Sequence, residues 1–264
     1  MEDFSHYNPE GSVLRKAQLR MLDILIAFDN VCQKHDIPYW ISSGTFLGAV
    51  RHRGFIPWDD DIDVEFLQTD YKRLIAVLEA DLPPEYKLQT QKTDKNYLFD
   101  FPKIRDTKSN YTEDQNEIYH YKYNGIYIDL FPFEPYFSLI VKYKFDRIKL
   151  RFTNRKFSKN FVGLCCNTSV GLLLPLYYVR MYLVRFLGKL LKVKNYTYGP
   201  GIFFYISENI DDIFPLKKIE FEGHQFSCPG NADAYLTKIY GKDYMTPPPP
   251  EKRAIHASKI DFLE

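Results

Sequence analysis

Cysteine is scarce in this chain, and its cysteines do not form a pattern that would cross-link a small fold. The 264 residues include Cys32, Cys165, Cys166 and Cys228, with no Cys-x-x-Cys pair. Disulfide frameworks and cysteine-based zinc sites have regular, close spacings. Residues 1–4 also lack the basic stretch and apolar run of a signal peptide. We therefore expect reduced cysteines, with Cys165 and Cys166 in the core, and a cytoplasmic protein.

The whole chain has no excess of one charge, but one of its segments does. The 35 lysines and arginines nearly balance the 34 acids, leaving a formal net charge of +1. Between Tyr136 and Asn195, however, Asp146 is the only acid among many basic residues. This asymmetry predicts an anionic partner for the basic segment. We expect no nucleic-acid partner, because the segment is helical and apolar rather than a groove with interleaved aromatics.

The sequence has no unbroken run of about 20 apolar residues, the length that a membrane-spanning helix needs. The uncharged stretch 161–179 is interrupted by Asn167, Thr168, Ser169 and Pro175, and basic residues flank it on both sides. These features favour a pair of helices lying on an anionic membrane surface. A basic helical lid packed on the domain is the alternative, and a spanning helix is the least favoured.

Apolar periodicity elsewhere predicts alternating helices and strands. We expect helices from Ser12 to about His35, 45–51, from Thr69 or Asp70 to Leu82, and from Asn231 to Tyr240. We expect strands at 38–41, 62–66, 86–91, 100–105, 126–131, 202–206 and 218–227. This order favours an α/β (α+β) fold with a mixed sheet flanked by helices. Residues 1–135 would form a catalytic core, 136–200 a basic helical insertion, and 201–264 a part that completes the domain.

The densest chemical signal is the acidic run from Asp59 to Glu65. Side chains alternate between the two faces of a strand, so Asp61 and Asp63 should point the same way. Carboxylates that close repel each other unless a cation lies between them, and a hard ion with oxygen ligands suits the site. We therefore predict that Asp61 and Asp63 bind Mg²⁺ or Mn²⁺. The alternative is a solvated acidic turn.

A glycine-containing turn precedes this run, between an expected strand and a short helix. Gly44 permits close approach of the backbone to a phosphate, and the first N–H groups of a helix attract anions. Gly44 and Thr45, followed by an Asp-x-Asp strand, therefore predict a nucleotide phosphate site.

Asp129 is an isolated acid in the apolar strand pattern 126–131. A buried carboxylate without a partner is costly, so it should have a specific role. It would complete the metal site or accept a proton from an acceptor hydroxyl. The alternative is a carboxylate paired with a buried arginine.

Three runs of this sequence resemble the signature blocks of the LicD family. They are WISSGTFLGAVRHRGFIPWDDDID at 40–63, IDLFP at 128–132 and YGKDYMTPPP at 240–249. LicD proteins attach phosphocholine to bacterial surface glycans such as lipopolysaccharide, capsule or teichoic acid. Their animal relatives of the fukutin type transfer ribitol phosphate, and both use a CDP-activated alcohol donor.

The resemblance implies a nucleotidyltransferase fold and a metal-dependent transfer of a phosphorylated alcohol to a glycan hydroxyl. It also implies that Gly44 and Thr45 hold phosphate, that Asp61 and Asp63 bind metal, and that Asp129 is the third acid. The glycan acceptor could be linked to a membrane lipid, which would place the enzyme peripherally on the inner face of the membrane. One alternative is a nucleotidyltransferase that moves the nucleotide itself to a phosphorylated sugar. Another is a non-catalytic module that binds nucleotides or glycans.

Several cations are candidates for contacts with the donor phosphates. Arg51 follows the Gly-Thr helix and could form a forked contact with a diphosphate. Lys103 and Arg105 alternate on one expected strand and would share a face directed at the cleft. His256 could close over the site from the C-terminal tail. Each of these residues, taken alone, could equally be a solvated charge.

Overall fold

A seven-stranded mixed sheet with helices packed against it forms the body of the molecule. The computed structural model describes residues 4–112, 119–158, 160–253 and 257–263. The helices are α1 (Val13–Lys34), α2 (Ser43–His52), α3 (Tyr71–Asp81), α4 (Leu139–Thr153), α5 (Phe161–Ser169), α6 (Leu174–Leu190), α7 (Ile210–Ile213) and α8 (Ala232–Tyr240). The strands are β1 (Tyr39–Ile41), β2 (Asp63–Leu67), β3 (Tyr86–Gln89), β4 (Lys103–Asp106), β5 (Ser109–Thr112), β6 (Tyr127–Pro135), β7 (Asn195–Tyr198), β8 (Ser207–Asn209), β9 (Lys217–Phe221), β10 (His224–Cys228) and β11 (Lys259–Phe262).

The long strand β6 organises the sheet. It runs parallel to β2 on one side, and on the other side it pairs antiparallel with β4 along its first half and with β7 along its second half. β1 extends the sheet beyond β2, β3 extends it beyond β4, and β8 pairs with β7. Because β2 and β6 are parallel, their first residues meet at one edge of the sheet. The expected α/β (α+β) fold with a mixed sheet is confirmed.

Helix α1 forms where its capping residue and apolar spacing predict it. The hydroxyl of Ser12 accepts a hydrogen bond from the backbone N–H of Arg15 at 3.1 Å, which satisfies one of the unpaired donors at the helix start. Met21, Leu25 and Phe28 lie on one face and are fully buried. This face packs α1 on the sheet beneath β4 and β6.

The basic segment between β6 and β7 is helical, as expected, but many of its apolar side chains face outward. α4 packs against α5 and α6, and α6 contacts β6. The stretch Phe161–Leu190 is the one part of the described chain that is long and apolar enough to cross a membrane, judged by length and composition alone. One short 3₁₀ turn, Val170–Leu173, separates α5 from α6 within it. Little of this stretch is buried against the protein.

Two sequence expectations about these regions are wrong in detail. Residues 202–206 form no strand, because the free edge of β7 pairs with Ser207–Asn209, and the Ile202 carbonyl accepts a hydrogen bond from Lys142 instead. Residues 218–227 form two strands, β9 and β10, joined by a tight turn in which Glu222 and Gly223 both have positive φ.

The two neighbouring cysteines also differ from expectation. Cys165 and Cys166 are exposed on α5, whereas Cys32 and Cys228 are buried. α5 has no buried residue among those described, so its apolar side chains, including both thiols, project away from the domain. The composition of α5 could not reveal this, because an apolar helix is equally suited to a core and to an external apolar surface.

Candidate active site

The glycine-containing turn at the start of α2 and the acidic run leading into β2 both lie on the wall of one cavity of about 630 Å³. Its wall combines the start of α2, the loop before β2, β6, the loop before β8, and the segment that follows α8. The residues that bear directly on the chemistry are Ser43, Gly44, Arg51, Asp59, Asp61, Asp63, Tyr240, Asp243 and Lys252. A volume of this size suits a small-molecule ligand.

Asp61 and Asp63 stand at the start of β2 and both line the cavity. The intervening Ile62 and the following Val64 are fully buried on the opposite face, as the alternation predicts. The backbone of Asp63 is fixed from two directions. Its N–H donates to the hydroxyl of Thr45 at 2.9 Å, and its carbonyl accepts from the N–H of Ser42 at 3.0 Å. The α2 start and the acid pair are therefore one rigid unit.

The electrostatic environment of Asp63 is unfavourable for a bare carboxylate. Burial, together with the negative charges of Asp61, Asp129 and Asp59, raises its pKa well above the usual range, and Lys103 opposes this only partly. A cation bound among these acids would relieve the repulsion.

Asp129 lies directly opposite Asp63 in the parallel register of β2 and β6. Its two carboxylate oxygens lie 2.8 and 3.1 Å from the Nζ of Lys103, which is itself buried over the ring of Tyr127. Burial raises the pKa of Asp129 to about 6 despite the nearby Lys103. The predicted third acid is thus beside the pair, and its partner is a buried lysine rather than the arginine considered from sequence.

These acids supply oxygen ligands of the kind that Mg²⁺ and Mn²⁺ prefer. Among the residues that the structure describes, however, no group of three His, Cys, Asp or Glu side chains is close enough together to hold an ion. Burial is the main cause of the raised pKa of Asp63, and the repulsion by neighbouring acids that adds to it is the property expected of carboxylates that share a cation. Asp61 and Asp63 therefore fit a metal site as a pair. Asp129, opposite Asp63 on β6, is bound to Lys103 and is not among the residues that line the cavity.

The glycine turn at the start of α2 lies on the wall of the cavity. Ser43 has a positive φ of 46°, and its hydroxyl lies 3.2 Å from that of Tyr198. A Cβ on Gly44 would come within 2.9 Å of a carboxylate oxygen of Asp59, so a larger residue would crowd this wall. Gly44 lines the cavity, whereas the buried Thr45 turns its hydroxyl to the Asp63 backbone. Thr45 thus positions the acid pair from below the wall.

The predicted cationic contacts separate into two groups. Arg51 lines the cavity and donates to the carbonyl of Tyr244 at 3.2 Å. Lys103 and Arg105 do share one strand face, since both lie over the ring of Tyr127, but neither lines the cavity. Arg105 is buried and donates to Gln89 and to the Gly125 carbonyl.

β6 separates β4 from β2 in the sheet, so the two cations of β4 do not reach the cavity. Lys103 instead contacts Asp129, and Arg105 lies in the core. The alternation in the sequence predicted that Lys103 and Arg105 share one strand face, but it could not predict the order of the strands in the sheet. His256 lies outside the described residues.

One buried acid on β2, which does not itself line the cavity, was not singled out from the sequence. Glu65 follows Asp61 and Asp63 at the next alternate position and is 1% exposed. Its carboxylate accepts hydrogen bonds from the indole of Trp40 at 2.7 Å and the hydroxyl of Tyr235 at 3.0 Å. Burial raises its pKa to about 7. The alternation along β2 could have indicated that Glu65 shares the face of Asp61 and Asp63. Its partner Tyr235 on α8 could be found only from the fold.

The C-terminal block resembling the family signature also reaches the cavity. Tyr240, Asp243, Tyr244 and Thr246 line it, and Pro248 lies on the wall with its carbonyl bonded to the guanidinium of Arg253 at 2.9 Å. The segment 240–252, which includes the prolines 247–250, therefore forms one side of the cavity, and we call it the strap. The sequence composition of this segment did not predict that it would line the cavity with polar side chains.

A mixed sheet that presents paired carboxylates beside a glycine-containing helix start defines a nucleotidyltransferase-type domain. The model of the family described as "LicD/FKTN/FKRP, nucleotidyltransferase domain" matches residues 36–167. This chain belongs to the LicD family, and the resemblance noted in its signature blocks is confirmed.

Similar proteins include one full-length bacterial relative and shorter animal matches. The chain is 30% identical over 262 aligned positions to the lipopolysaccharide cholinephosphotransferase LicD of Haemophilus influenzae, covering 92% of this chain and 95% of that protein. It is 34% identical over 80 positions to the ribitol-5-phosphate transferase FKTN of Homo sapiens, covering 30% of this chain and 17% of that protein. The corresponding Mus musculus protein is 43% identical over 53 positions, which cover 19% of this chain and 12% of that protein.

Proposed function

We propose that this protein transfers a phosphorylated alcohol, such as phosphocholine or ribitol phosphate, from a CDP-activated donor to a hydroxyl group of a cell-surface glycan. The observation that carries the proposal is the position of Asp61 and Asp63 on one cavity wall beside Gly44. Membership of the LicD family supports it. The names of the relatives, a cholinephosphotransferase and a ribitol-5-phosphate transferase, support the kind of group transferred.

The donor diphosphate would lie between the start of α2 and the acid pair. Ser43 and Gly44, at the start of α2, line this space, and the start of a helix carries the positive end of its dipole. Arg51 lines the same wall, and its guanidinium can donate a charge-assisted hydrogen bond to a phosphate oxygen. Asp243 and Lys252, on the strap, complete a mixed-charge rim that suits a polar alcohol.

Asp61 and Asp63 would hold a Mg²⁺ or Mn²⁺ ion. Such an ion, when bound, neutralises charge on the phosphate oxygens and on the departing nucleotide. The chain itself holds its acids in place through the hydroxyl of Thr45, which fixes the Asp63 backbone. This rigidity keeps the ligands in position before the donor arrives.

Asp129 would accept the proton of the attacking glycan hydroxyl. The hydroxyl oxygen forms a bond to the phosphorus that bears the alcohol, the bond from that phosphorus to the bridging oxygen breaks, and CMP leaves. Lys103, in contact with both oxygens of Asp129, orients the carboxylate. Asp129 lies opposite Asp63, so the proton acceptor and the proposed metal ligands belong to neighbouring strands.

The acceptor would be met at the inner face of the membrane by a peripheral, cytoplasmic enzyme. The helical segment 139–190 exposes many large apolar side chains, among them Phe161, Leu172 and Leu176. Lys144 and Arg151 on α4 are exposed near them. An apolar surface flanked by cations is suited to an anionic lipid surface, where a lipid-linked glycan would be found.

A donor panel tests this function. The purified protein would be incubated with CDP-choline, CDP-ribitol or CDP-glycerol, Mg²⁺ or Mn²⁺, and a bacterial lipid-linked glycan, and the released nucleotide would be identified. We expect CMP release that requires both acceptor and metal, and none from Asp61→Asn. Turnover of CTP with a phosphorylated sugar, giving pyrophosphate and no CMP-releasing reaction, would overturn the proposal.

A further inference from the structure

A second cavity of about 550 Å³ lies between α6 and the edge of the sheet. We call it the α6 groove. Its lining comes from β6, β7, α6 and the turn after β2, and it has no lining residue in common with the cavity of the candidate active site as described above. The groove is therefore separate from the site of the proposed reaction, and its occupant must be inferred from its own chemistry.

The floor of the α6 groove is apolar. Phe133 and Tyr196 stack with their rings 6.2 Å apart, and Pro135 lies beside them. At one end the helix backbone comes very close to the sheet, because a Cβ on Gly188 would lie 2.5 Å from the Pro135 ring. Such a narrow, apolar cleft suits an alkyl chain better than a polar ligand.

The mouth of the groove opens on the exposed apolar surface of α6. Tyr182 and Phe186, one helical turn apart, line the groove although 68% and 65% of their areas are exposed. Leu183 and Leu190 continue this exposed surface along the helix. An acyl chain could therefore pass from a lipid phase into the groove without crossing a polar surface.

The rim of the groove is cationic. Arg185 donates to the buried carboxylate of Glu134 at 2.6 Å, and this pair is internally neutral. Lys189 and Lys192 also line the groove, are exposed, and have no ion-pair partner among the residues that the structure describes. Two positive charges thus remain uncompensated beside an apolar cleft, and an anionic head group attached to an alkyl chain would satisfy both features.

We propose that the α6 groove binds one anionic phospholipid of the membrane, with an acyl chain against Phe133, Pro135 and Tyr196 and the phosphate between Lys189 and Lys192. The binding would fix the orientation of the helical segment on the lipid surface. It goes beyond general attraction to a membrane, because it assigns a defined lipid site with a head-group preference. The inference rests on the proposed membrane location but not on the transfer reaction.

Calorimetric titration with single-chain lipids tests the proposal without vesicles, donor or glycan. Lysophosphatidylglycerol, lysophosphatidylcholine and inorganic phosphate would each be added below any micelle-forming concentration. We expect lysophosphatidylglycerol to bind roughly 10- to 30-fold more tightly than lysophosphatidylcholine, the effect of about two lysine contacts. Inorganic phosphate, which lacks a chain, should show no saturable binding at these concentrations.

Variants separate the two parts of the site. The double change Lys189→Gln and Lys192→Gln should remove the preference for lysophosphatidylglycerol and leave lysophosphatidylcholine binding unchanged. Thr69→Trp, on the exposed lining opposite α6, should weaken both lipids by obstructing the cleft. Lys16→Gln, which removes an exposed cation on α1 away from both cavities, is the matched control and should change neither.

Equal affinity for the two lipids would overturn the proposal, as would unchanged lysophosphatidylglycerol binding in the double variant. Binding of inorganic phosphate as tight as that of the lipid would show a simple anion site and would also overturn it. Vesicle binding and CMP release, measured on the same variants, report separately on the membrane location and the reaction. The groove assignment can therefore fail while both of these stand.

Discussion

Asp63 on β2 lies opposite Asp129 on β6, and the ammonium of Lys103 lies within 3.1 Å of both Asp129 oxygens. Three charged groups from three adjacent strands thus meet at one edge of the sheet. The arrangement gives the two carboxylates different surroundings, since Asp129 has a fixed cation and Asp63 is repelled by its neighbours. Different roles for the two acids follow from this difference.

Replacement of either acid of the pair should separate activity from stability. Asp61→Asn or Asp63→Asn should lower the rate of transfer by roughly 100-fold or more, because a ligand of the proposed ion is lost. Asp63→Asn should also raise the free energy of unfolding measured without metal, since a buried carboxylate repelled by its neighbours is removed. Rate assays and thermal unfolding with and without Mg²⁺ measure both effects.

Asp60 supplies a control from the same acidic run. It is fully buried and accepts hydrogen bonds from the hydroxyl of Tyr111 and the backbone N–H of Ala257, both at 2.7 Å. Asp60→Asn should lower stability but leave the metal dependence of the folded enzyme unchanged. A metal dependence lost in Asp60→Asn and kept in Asp63→Asn would show that the wrong acid has been assigned.

The role of Asp129 can be resolved by comparing rate with donor affinity. If Asp129 accepts the proton, Asp129→Asn should lower kcat by roughly 100-fold or more while donor affinity changes little. Lys103→Met should lower kcat less, because it frees the carboxylate without removing it. Equal losses of kcat and donor affinity in Asp129→Asn would identify a metal ligand instead, and unchanged kinetics would remove Asp129 from the site.

The family blocks and local patterns predicted much of this site, whereas strand order and long-range partners decided the rest. Ser12 and the spacing of Met21 and Phe28 were sufficient for α1, since both signals are local. The alternation in β2 placed Asp61 and Asp63 on one face for the same reason. Lys103 could not be placed, because its position depends on β4 lying next to β6, a contact distant in sequence.

The errors have the same physical origin. Residues 202–206 have strand composition, but a strand requires a free edge, and β8 occupies the edge of β7. Cys165 was expected in the core but is exposed. The apolar composition of its helix is compatible with a core and with an external surface, so the sequence could not distinguish them. The division of the chain at 135 and 200 stays a prediction.

Stability should depend on pH through Glu208. This residue on β8 is 2% exposed, and its carboxylate oxygens have no hydrogen-bond partner among the described residues. Burial, with the charges of Glu65 and Asp212, raises its pKa to about 8 despite Lys238. The unfolded chain releases this proton near its ordinary pKa of 4.5. The free energy of unfolding should therefore fall as pH rises from about 4.5 to 8.

Glu208→Gln, which resembles the protonated form, should remove this contribution. At pH 8 and above the variant should be more stable than the parent by about 2 kcal/mol, and at pH 4 the two should be alike. Urea unfolding at a series of pH values measures the difference. A parallel pH dependence in both proteins would show that Glu208 is not the responsible group.

The exposed apolar surface of the helical segment should bind anionic vesicles. We expect co-sedimentation at low salt and progressive release as salt is added. Phe161→Ser with Leu172→Ser should weaken binding roughly tenfold, because both side chains are largely exposed and would enter the lipid boundary. Leu19→Ser, which changes a partly exposed leucine on α1, is the control. A segment that fails to bind at low salt would instead be a lid.

Lys149 and Arg185 should contribute less to vesicle binding than their charges suggest. Lys149 is paired with Asp100 and Arg185 with Glu134, so both cations hold the helical segment to the domain. Lys144→Gln with Arg151→Gln should weaken vesicle binding more than Lys149→Gln, whose main effect should be on stability. The reverse order, measured by sedimentation and thermal unfolding, would place the lipid-facing surface elsewhere.

Phosphorus NMR of a complete reaction tests the central claim most directly. With a CDP-alcohol, Mg²⁺ and a glycan acceptor, attack at the phosphorus that bears the alcohol yields CMP and a new phosphodiester joining alcohol and glycan. Attack at the other phosphorus yields a cytidylated glycan and a free phosphorylated alcohol. We predict the CMP and phosphodiester resonances, in equal amounts and absent with Asp63→Asn. A cytidylated glycan, or equal product from Asp63→Asn, would contradict the account.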